Sequence, residues 1–211
     1  MRSDYEVLLV ASTPETLDYL RSIDARRQIE WIDASDHELQ EVGSFQTNDG
    51  AIAIAKIKPV YPLELKSGEF GLILDDIRDP GNLGTIIRTA DWYGLTKIIA
   101  SEETTDLYNP KVIAATMGSF TRVQVYYTNL EKFLKGTKAV SYGTFLEGTS
   151  IYDAKFTPGW IVIGNESLGI SKAVEPFIKH RITIPRIGKA ESLNAGIATA
   201  IVLDNMARLK K

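Results

Sequence analysis

Three short stretches of this chain place glycine and polar residues directly after an apolar, β-branched run. They are residues 75–94 (DDIRDPGNLGTIIRTADWYG), 164–171 (GNESLGIS) and 184–198 (IPRIGKAESLNAGIA). Each pattern predicts a strand that turns into a helix. Such corners leave backbone N–H groups free at the helix N-terminus and a crevice at the strand ends. We therefore expect these corners to bind a small ligand.

Five polar side chains at these corners could take part in chemistry. They are Asn82, Arg88, Glu166, Ser192 and Asn194. Asn, Ser and Glu are also common where helices begin, so each of those four residues, taken singly, could be no more than a cap. Arg88 differs, because Ile86 and Ile87 beside it suggest partial burial, and a partly buried Arg needs an anion. Near a helix N-terminus we expect that anion to be a phosphate.

Two nucleotide-binding motifs fail on the residues themselves. Gly164 and Gly169 have the spacing of a P-loop, but Ile170 stands where that motif needs Lys. The GNLG at residues 81–84 lacks the three-glycine spacing of a dinucleotide site and the acidic residue that binds the ribose. The sequence therefore disfavours both a nucleoside triphosphate and a dinucleotide.

Taken together, the three corners resemble the signature motifs of the SpoU/TrmH family of RNA ribose methyltransferases, the knotted SPOUT class. The first motif sets Asn82 six residues before Arg88, and the second is the Gly-Asn-Glu of residues 164–166. The third joins the Ile-Pro of residues 184–185 to the Ser-Leu-Asn of residues 192–194. Any one motif alone would be weak, whereas all three in this order form a specific pattern.

The resemblance implies transfer of a methyl group from S-adenosylmethionine to a ribose 2′-hydroxyl in tRNA or rRNA, by a homodimer. It implies catalytic roles for Arg88, Asn82, Glu166, Ser192 and Asn194, and cofactor contacts from Thr144, Gly164, Ile184 and Leu193. Members of the family are often given the Arg as base. Because a guanidinium keeps its proton far above neutral pH, we favour phosphate binding and polarisation of the 2′-oxygen, with base action left open. The alternative is a non-catalytic RNA-binding module that kept the knotted fold.

The composition is that of an ordinary globular protein, with 44% hydrophobic and 24% charged residues. No apolar run is long enough for a membrane span and no signal peptide is evident, so we expect a cytoplasmic protein. The chain has no Cys, and His37 and His180 lie far apart in the sequence, so we predict no metal site.

The net charge of −3 is unusual for an RNA-binding protein, since phosphate contacts favour basic surfaces. Basic residues nevertheless gather near the motifs. They are Arg78, Arg88, Lys111, Arg122, Lys172, Lys179, Arg181, Arg186 and Lys189.

Residues 1–60 predict a small α/β domain with a helix at residues 14–23 and a capping box formed by Ser35 and Glu38. This part resembles a shortened RNA-binding domain of the L30e type. Residues 61–69 carry a linker composition.

From residue 70 to residue 211, strands alternate with helices, which predicts an α/β domain whose mostly parallel sheet has helices on both faces. The resemblance adds a C-terminal trefoil knot. We expect helices at residues 172–179 and 193–208, with Leu193, Ile197, Ala200 and Ile201 on one stripe that packs in the core. Asp75, after its strand, is expected to face solvent.

Overall fold

The structure is a computed structural model that describes residues 3–23, 28–43 and 50–208. The chain divides into two compact units, Met1–Pro59 and Val60–Lys211. No helix in these described ranges is both long enough and apolar enough to cross a membrane.

The first unit is a three-stranded mixed sheet with two helices. Its elements are β1 (Val7–Ser12), α1 (Pro14–Ile23), β2 (Glu30–Asp33), α2 (Asp36–Val42) and β3 (Ala51–Ala55). The central β1 pairs parallel with β2 and antiparallel with β3. Its core is small, since Val7, Val10, Leu17 and Ile29 form the buried cluster. The predicted capping box is confirmed, with Ser35 and Glu38 each bonding the other's backbone N–H.

The second unit is a six-stranded parallel sheet with the order β6-β5-β4-β8-β7-β9. The strands are β4 (Gly71–Asp75), β5 (Lys97–Ala100), β6 (Gln124–Tyr127), β7 (Val140–Ser150), β8 (Gly159–Gly164) and β9 (His180–Thr183). The α-helices are α3 (Pro80–Trp92), α4 (Pro110–Thr116), α5 (Leu130–Gly136) and α6 (Ala195–Arg208). The predicted parallel α/β sheet is confirmed.

Helices cover both faces of this sheet, as the near-continuous apolar strands predict. Along β4, Leu72 and Leu74 belong to one buried cluster, which also holds residues of α3, α4 and α6. Ile73 belongs to a second cluster, which holds Leu130 and Leu134 of α5. Alternate residues of one strand thus serve two cores.

The stretch read as a linker contributes to the second core. Leu63 is buried against the cluster that contains Ile73 and Trp160. Lys97 donates to the carbonyl of Glu64 at 2.8 Å and pairs with Glu69. Residues 63–69 are therefore attached to the second unit.

One predicted helix is wrong, and the last helix is confirmed with a later start. Residues 172–179 contain only a short 3-10 turn (Glu175–Phe177), where Pro176 cannot donate a helical hydrogen bond. The last helix begins at Ala195, two residues later than expected, so Leu193 precedes it.

The predicted core stripe of the last helix is only partly right, since Ile201 packs against the core cluster but two other members are exposed. Leu193 and Ile197 are 44% and 52% exposed, whereas Ala195, Gly196 and Thr199 are buried. The methyl group of Thr85 on α3 lies close to the space that a side chain at position 196 would fill. Small residues let the two helices approach, so the buried face is the one that carries them.

Candidate active site

The first and second motifs meet because their strands are neighbours in the sheet. β4 and β8 run parallel, and Asp75 at the end of β4 pairs with Gly164 at the end of β8. The chain turns into α3 after β4 and into the Glu166 loop (residues 165–171) after β8. Both corners therefore open at the carboxyl edge of the sheet, where crevices of such folds lie.

One hydrogen-bonded chain joins side chains from all three motifs. Asn82 Nδ2 donates to Glu166 Oε1 at 2.5 Å, and Asn194 Nδ2 donates to Asn82 Oδ1 at 2.6 Å. Asn194 Oδ1 in turn accepts from the backbone N–H of Ile197 at 3.2 Å. Asn82, Glu166 and Asn194 therefore form one polar unit, which we call the motif triad.

These contacts decide between the alternative interpretations of the three residues. Asn82 is not the cap of α3, because Asp79 has that position and accepts from the N–H of Asn82 at 2.8 Å. Glu166 does not begin a helix, since the chain after it forms a turn. Asn194 does cap α6, and it also bonds to Asn82.

Two adjacent aspartates at the end of β4 hold the Glu166 loop. The Asp75 carboxylate accepts from the N–H of Ser171 at 2.7 Å. Asn165 Nδ2 donates to the carbonyl of Asp76 at 2.8 Å. Glu166 lies between these two anchors, so its position is set by β4 as well as by Asn82.

Asp75 is 4% exposed, so the expectation that it faces solvent is wrong. Burial raises the pKa of Asp75, because a carboxylate loses its hydration there, although the hydrogen bonds from Ser171 oppose the shift. Sequence analysis missed Asp75 and Asn165 as supports of the loop. The only signal was an acidic residue ending an apolar strand, which usually means solvent.

Within the loop, the backbone closes tightly on itself. Asn165 and Gly169 exchange two backbone hydrogen bonds of 3.0 and 2.8 Å. Gly169 has φ +69°, in the left-handed region that favours glycine. A Cβ on Gly164 would collide with the main chain of Gly169 and Ile170, so this closure needs glycine there.

Three of the residues expected to contact the cofactor lie on or just after neighbouring strands, with Thr144 inside β7 and not at its end as expected. Gly164 ends β8, Ile184 follows β9, and the hydroxyl of Thr144 in β7 donates to the carbonyl of Val162 at 3.2 Å. Leu193 precedes α6 and is partly exposed. The order β8-β7-β9 makes these strands adjacent, so the first three residues lie along one edge.

The loop from residue 185 to residue 193 keeps most of its backbone groups available, although the carbonyl of Ala190 accepts from Nη1 of Arg186 at 3.2 Å. Within the described ranges, its N–H and C=O groups form no hydrogen bond with other backbone groups. Free backbone donors and acceptors beside exposed apolar side chains such as Leu193 suit an adenine-bearing ligand. Ser192 is exposed in this loop and makes no hydrogen bond to the motif triad.

Arg88 is placed differently from the motif triad. It lies on the outward face of α3 and is exposed, so the expectation of partial burial is wrong. Ile86 and Ile87 face the core, but Arg88 comes next around the helix and points away. Among the described residues, its guanidinium has no hydrogen bond or ion pair.

Several of the basic residues near the motifs already have acidic partners. Arg122 bonds Asp91 through Nε and Nη2, which holds the turn after α4 against α3. Arg78 pairs with Asp76, and Arg181 with Glu175. Within the described part of the chain, the following show no ion pair: Arg88, Lys111, Lys172, Lys179, Arg186 and Lys189.

The described residues also hold no cluster of three or more His, Asp or Glu side chains suited to a metal ion.

Comparison with known proteins matches this region to one family. The model of the SpoU rRNA Methylase family matches residues 69–204. The chain is 34% identical over 137 residues to the 23S rRNA (guanosine(2553)-2′-O)-methyltransferase of Bacillus subtilis, covering 63% of this chain and 55% of that protein. It is 33% identical over 149 residues to the 23S rRNA (uridine(2479)-2′-O)-methyltransferase of Streptomyces viridochromogenes, covering 65% and 52%.

A solved structure extends the likeness to both units. The AdoMet-bound rRNA methyltransferase of Sinorhizobium meliloti superposes with a TM-score of 0.86 at 28% identity, over 98% of this chain and 81% of that one. In the sequence comparisons, this chain covers little more than half the length of each of the two curated relatives named above.

Proposed function

The chain belongs to the SpoU rRNA methylase family, and from this membership we propose that it methylates a ribose 2′-hydroxyl in rRNA or tRNA with S-adenosylmethionine as methyl donor. The observation that carries the proposal is the motif triad. Three motifs that lie far apart in the sequence contribute one side chain each to a single hydrogen-bonded chain. Relatives named as 2′-O-methyltransferases supply the reaction type.

The residues at the strand ends fit the cofactor. Backbone N–H and C=O groups of residues 185–193 can bind an adenine, with Leu193 and Ile184 as apolar contacts. Gly164 and Thr144 border the same edge of the sheet. When bound, S-adenosylmethionine supplies a methyl group activated by its sulfonium charge.

The chain's own residues must align the ribose and allow the proton of the 2′-hydroxyl to leave. The motif triad fixes the loops that border the ribose, and Ser192 and Asn194 flank it on the third loop. Arg88, exposed and without an acidic partner among the described residues, is suited to an RNA phosphate. From there it polarises the 2′-oxygen. A guanidinium in water is a poor proton acceptor, so we assign it positioning and charge stabilisation first, and the proton of the 2′-hydroxyl passes to solvent water.

Two measurements test this proposal. Calorimetry should detect S-adenosylmethionine binding to the purified chain without metal or ATP. Methyl transfer from labelled cofactor to bulk rRNA and tRNA, followed by nuclease digestion, should yield 2′-O-methylnucleosides. Cofactor and RNA binding without methyl transfer would favour the non-catalytic RNA-binding module, and absence of cofactor binding would reject both the reaction and the site.

We propose that the functional form is a homodimer that joins through α3 and α6. Trp92 on α3 is 83% exposed, Ile197 on α6 is 52% exposed, and Leu193 is exposed just before α6, so apolar side chains are available for such an interface. Stable dimers commonly bury about 1,600 Å². Light scattering should give twice the 23.4 kDa chain mass, and Trp92→Glu should shift the protein toward a monomer. A parent protein that is monomeric at micromolar concentration would exclude this.

Two further expectations rest on family membership alone. One is a C-terminal trefoil knot, which a crystal structure of the cofactor complex would check by tracing the chain after Thr183. The other is that residues 1–60 form a substrate-binding domain, joined by residues 61–69 to the catalytic residues 70–211. Photocross-linking with 4-thiouridine RNA should label peptides from that first part, and labelling confined to the second unit would contradict it.

A further inference from the structure

A cavity lies in the second unit, and none of the residues predicted for the active site lines it. Its volume is about 580 Å³, which is in the range that binds small ligands. It opens between β9 and the later part of β7, including the turn that carries Asp153 and Lys155. The proposed methyl transfer therefore gives this cavity no role.

One wall of the cavity is an aromatic pair held in a fixed geometry. The rings of Tyr142 and His180 stack with centroids 5.0 Å apart and planes at 21°. Tyr142 is buried, and its hydroxyl is within 2.9 Å of both the hydroxyl and the N–H of Thr157, so its ring cannot turn away. His180 is exposed, so the open face of its ring is available for stacking.

The charges around this pair favour an anion. Lys155 and Lys179 line the cavity, are exposed, and have no ion pair among the described residues. Arg181 is already held by Glu175 and by Phe145, whose ring centre lies 3.6 Å from the guanidinium carbon. Among the described residues, Asp153 is the single carboxylate in the lining, so two ammonium groups without an ion pair face one negative charge.

A flat ring surface beside unpaired cations matches the chemistry of a nucleotide. Bases of single-stranded RNA stack on exposed aromatic rings, and lysines bind the phosphates that join them. We infer that this cavity binds one nucleotide of the RNA substrate, with the base on His180 and the phosphate at Lys155 and Lys179. This inference deepens the proposed function, on which it rests, by adding a second RNA contact outside the cofactor loops.

Two histidines in the chain allow a direct test by NMR. At constant pH, a single-stranded RNA 12-mer and adenosine 5′-monophosphate should each move the imidazole proton signals of His180, because a stacked base shields them. The chain's other histidine, His37, belongs to the first unit, and the spectrum of His180→Ala shows which signals are those of His180. Displacement of the mononucleotide by RNA shows that both use one site.

Charge-reversal variants then measure the contribution to RNA affinity. Lys155→Glu and Lys179→Glu should each weaken binding of the 12-mer at least about five-fold at low salt and lower the salt slope by about 0.7. His180→Ala should weaken it about ten-fold. Lys132→Glu on α5 makes the same change in net charge and should stay within about two-fold, since Lys132 is exposed and does not line the cavity.

The outcomes separate this inference from the proposed reaction. Cavity variants that bind RNA as the Lys132→Glu control does, in a parent that methylates RNA, overturn the inference and leave the reaction standing. A His180 signal that responds to the mononucleotide but not to RNA overturns the RNA assignment. Signals that respond to RNA in a protein that transfers no methyl group support the cavity and reject the reaction.

Discussion

Asn82 and Arg88 lie on the same helix, six residues apart, but their side chains differ in whether they are held by hydrogen bonds. The Asn82 amide is bonded at both ends, to Glu166 and to Asn194. Arg88 is exposed and makes no bond among the described residues. A side chain fixed before any ligand arrives can shape a site, whereas a free one must take its position from the ligand. We therefore propose that Asn82 holds the loops of the site in place and that Arg88 contacts the RNA.

The largest effect is expected at Arg88. Arg88→Ala should lower single-turnover methyl transfer about a thousand-fold or more, a typical result of removing a charge contact made in the transition state. Cofactor affinity should stay near that of the parent, because the cofactor loops lie elsewhere. Arg88→Lys should recover little, since an ammonium cannot make the bidentate phosphate contact. Lys132→Ala is the matched control, and near-parent activity in Arg88→Ala would end the catalytic assignment.

Gly164→Ala should have the next largest effect, on cofactor binding. The added Cβ would collide with the backbone of Gly169 and Ile170, so the Glu166 loop would have to open. We expect calorimetry to show at least about ten-fold weaker cofactor binding, together with a stability loss of about 1–3 kcal/mol. Gly136→Ala is the control, because a Cβ there meets nothing within 4 Å. Equal cofactor binding by the two variants would show that the loop does not contribute to the site.

Asn82→Ala tests whether the hydrogen bonds of Asn82 hold the loops of the site in place. It removes both bonds at once and leaves Glu166 and Asn194 without their shared partner, which we expect to lower kcat/KM about 10- to 100-fold. Unlike Arg88→Ala, it should also raise the KM for the cofactor, because loops from two motifs loosen together. If only kcat falls, Asn82 acts on the substrate directly. The proposed difference in role between Asn82 and Arg88 would then be wrong.

The smallest effect is expected at Asp75 and concerns stability. Because burial raises the pKa of Asp75 in the folded state, the folded protein binds a proton more readily than the unfolded chain. The contribution of this group to the free energy of unfolding is therefore greatest below the pKa of the unfolded chain. It should be lost as pH rises through the higher pKa of the folded protein.

Asp75→Asn removes this charge, and its amide oxygen can still accept from Ser171. Urea titrations should show the variant equal to the parent at acid pH and slightly more stable at neutral pH. Asp75→Leu, which loses the acceptor, should instead lower cofactor affinity. A parent that is more stable than Asp75→Asn at neutral pH would mean that the carboxylate charge supports the loop.

Features set by near neighbours in the chain were predicted well. The helix at residues 14–23 and the Ser35–Glu38 capping box were found at the expected positions, because both depend on contacts three or four residues apart. The parallel sheet was also found, since long apolar runs need cover on both faces.

Features set by distant contacts were predicted poorly. Asp75 is buried because Ser171, 96 residues later, supplies its hydrogen-bond donor. The exposed side of α6 could not be recognised from the sequence, since both of its sides carry apolar residues and distant contacts, such as that with Thr85, determine which side is buried. Of the five residues that the family likeness grouped, Asn82, Glu166 and Asn194 form one hydrogen-bonded chain, whereas Ser192 and Arg88 make no hydrogen bond to it.

The motif triad has a further consequence for how the chain folds. Its two links close loops of 84 and 112 residues, and the bond from Ser171 to Asp75 closes one of 96. Contacts this distant along the chain form slowly, because the entropy lost in closing the loop precedes any gain from the contact. A chain with its helices and strands in place but these loops open would show native-like circular dichroism and no binding site. During refolding, recovery of cofactor affinity should lag behind recovery of the helical signal.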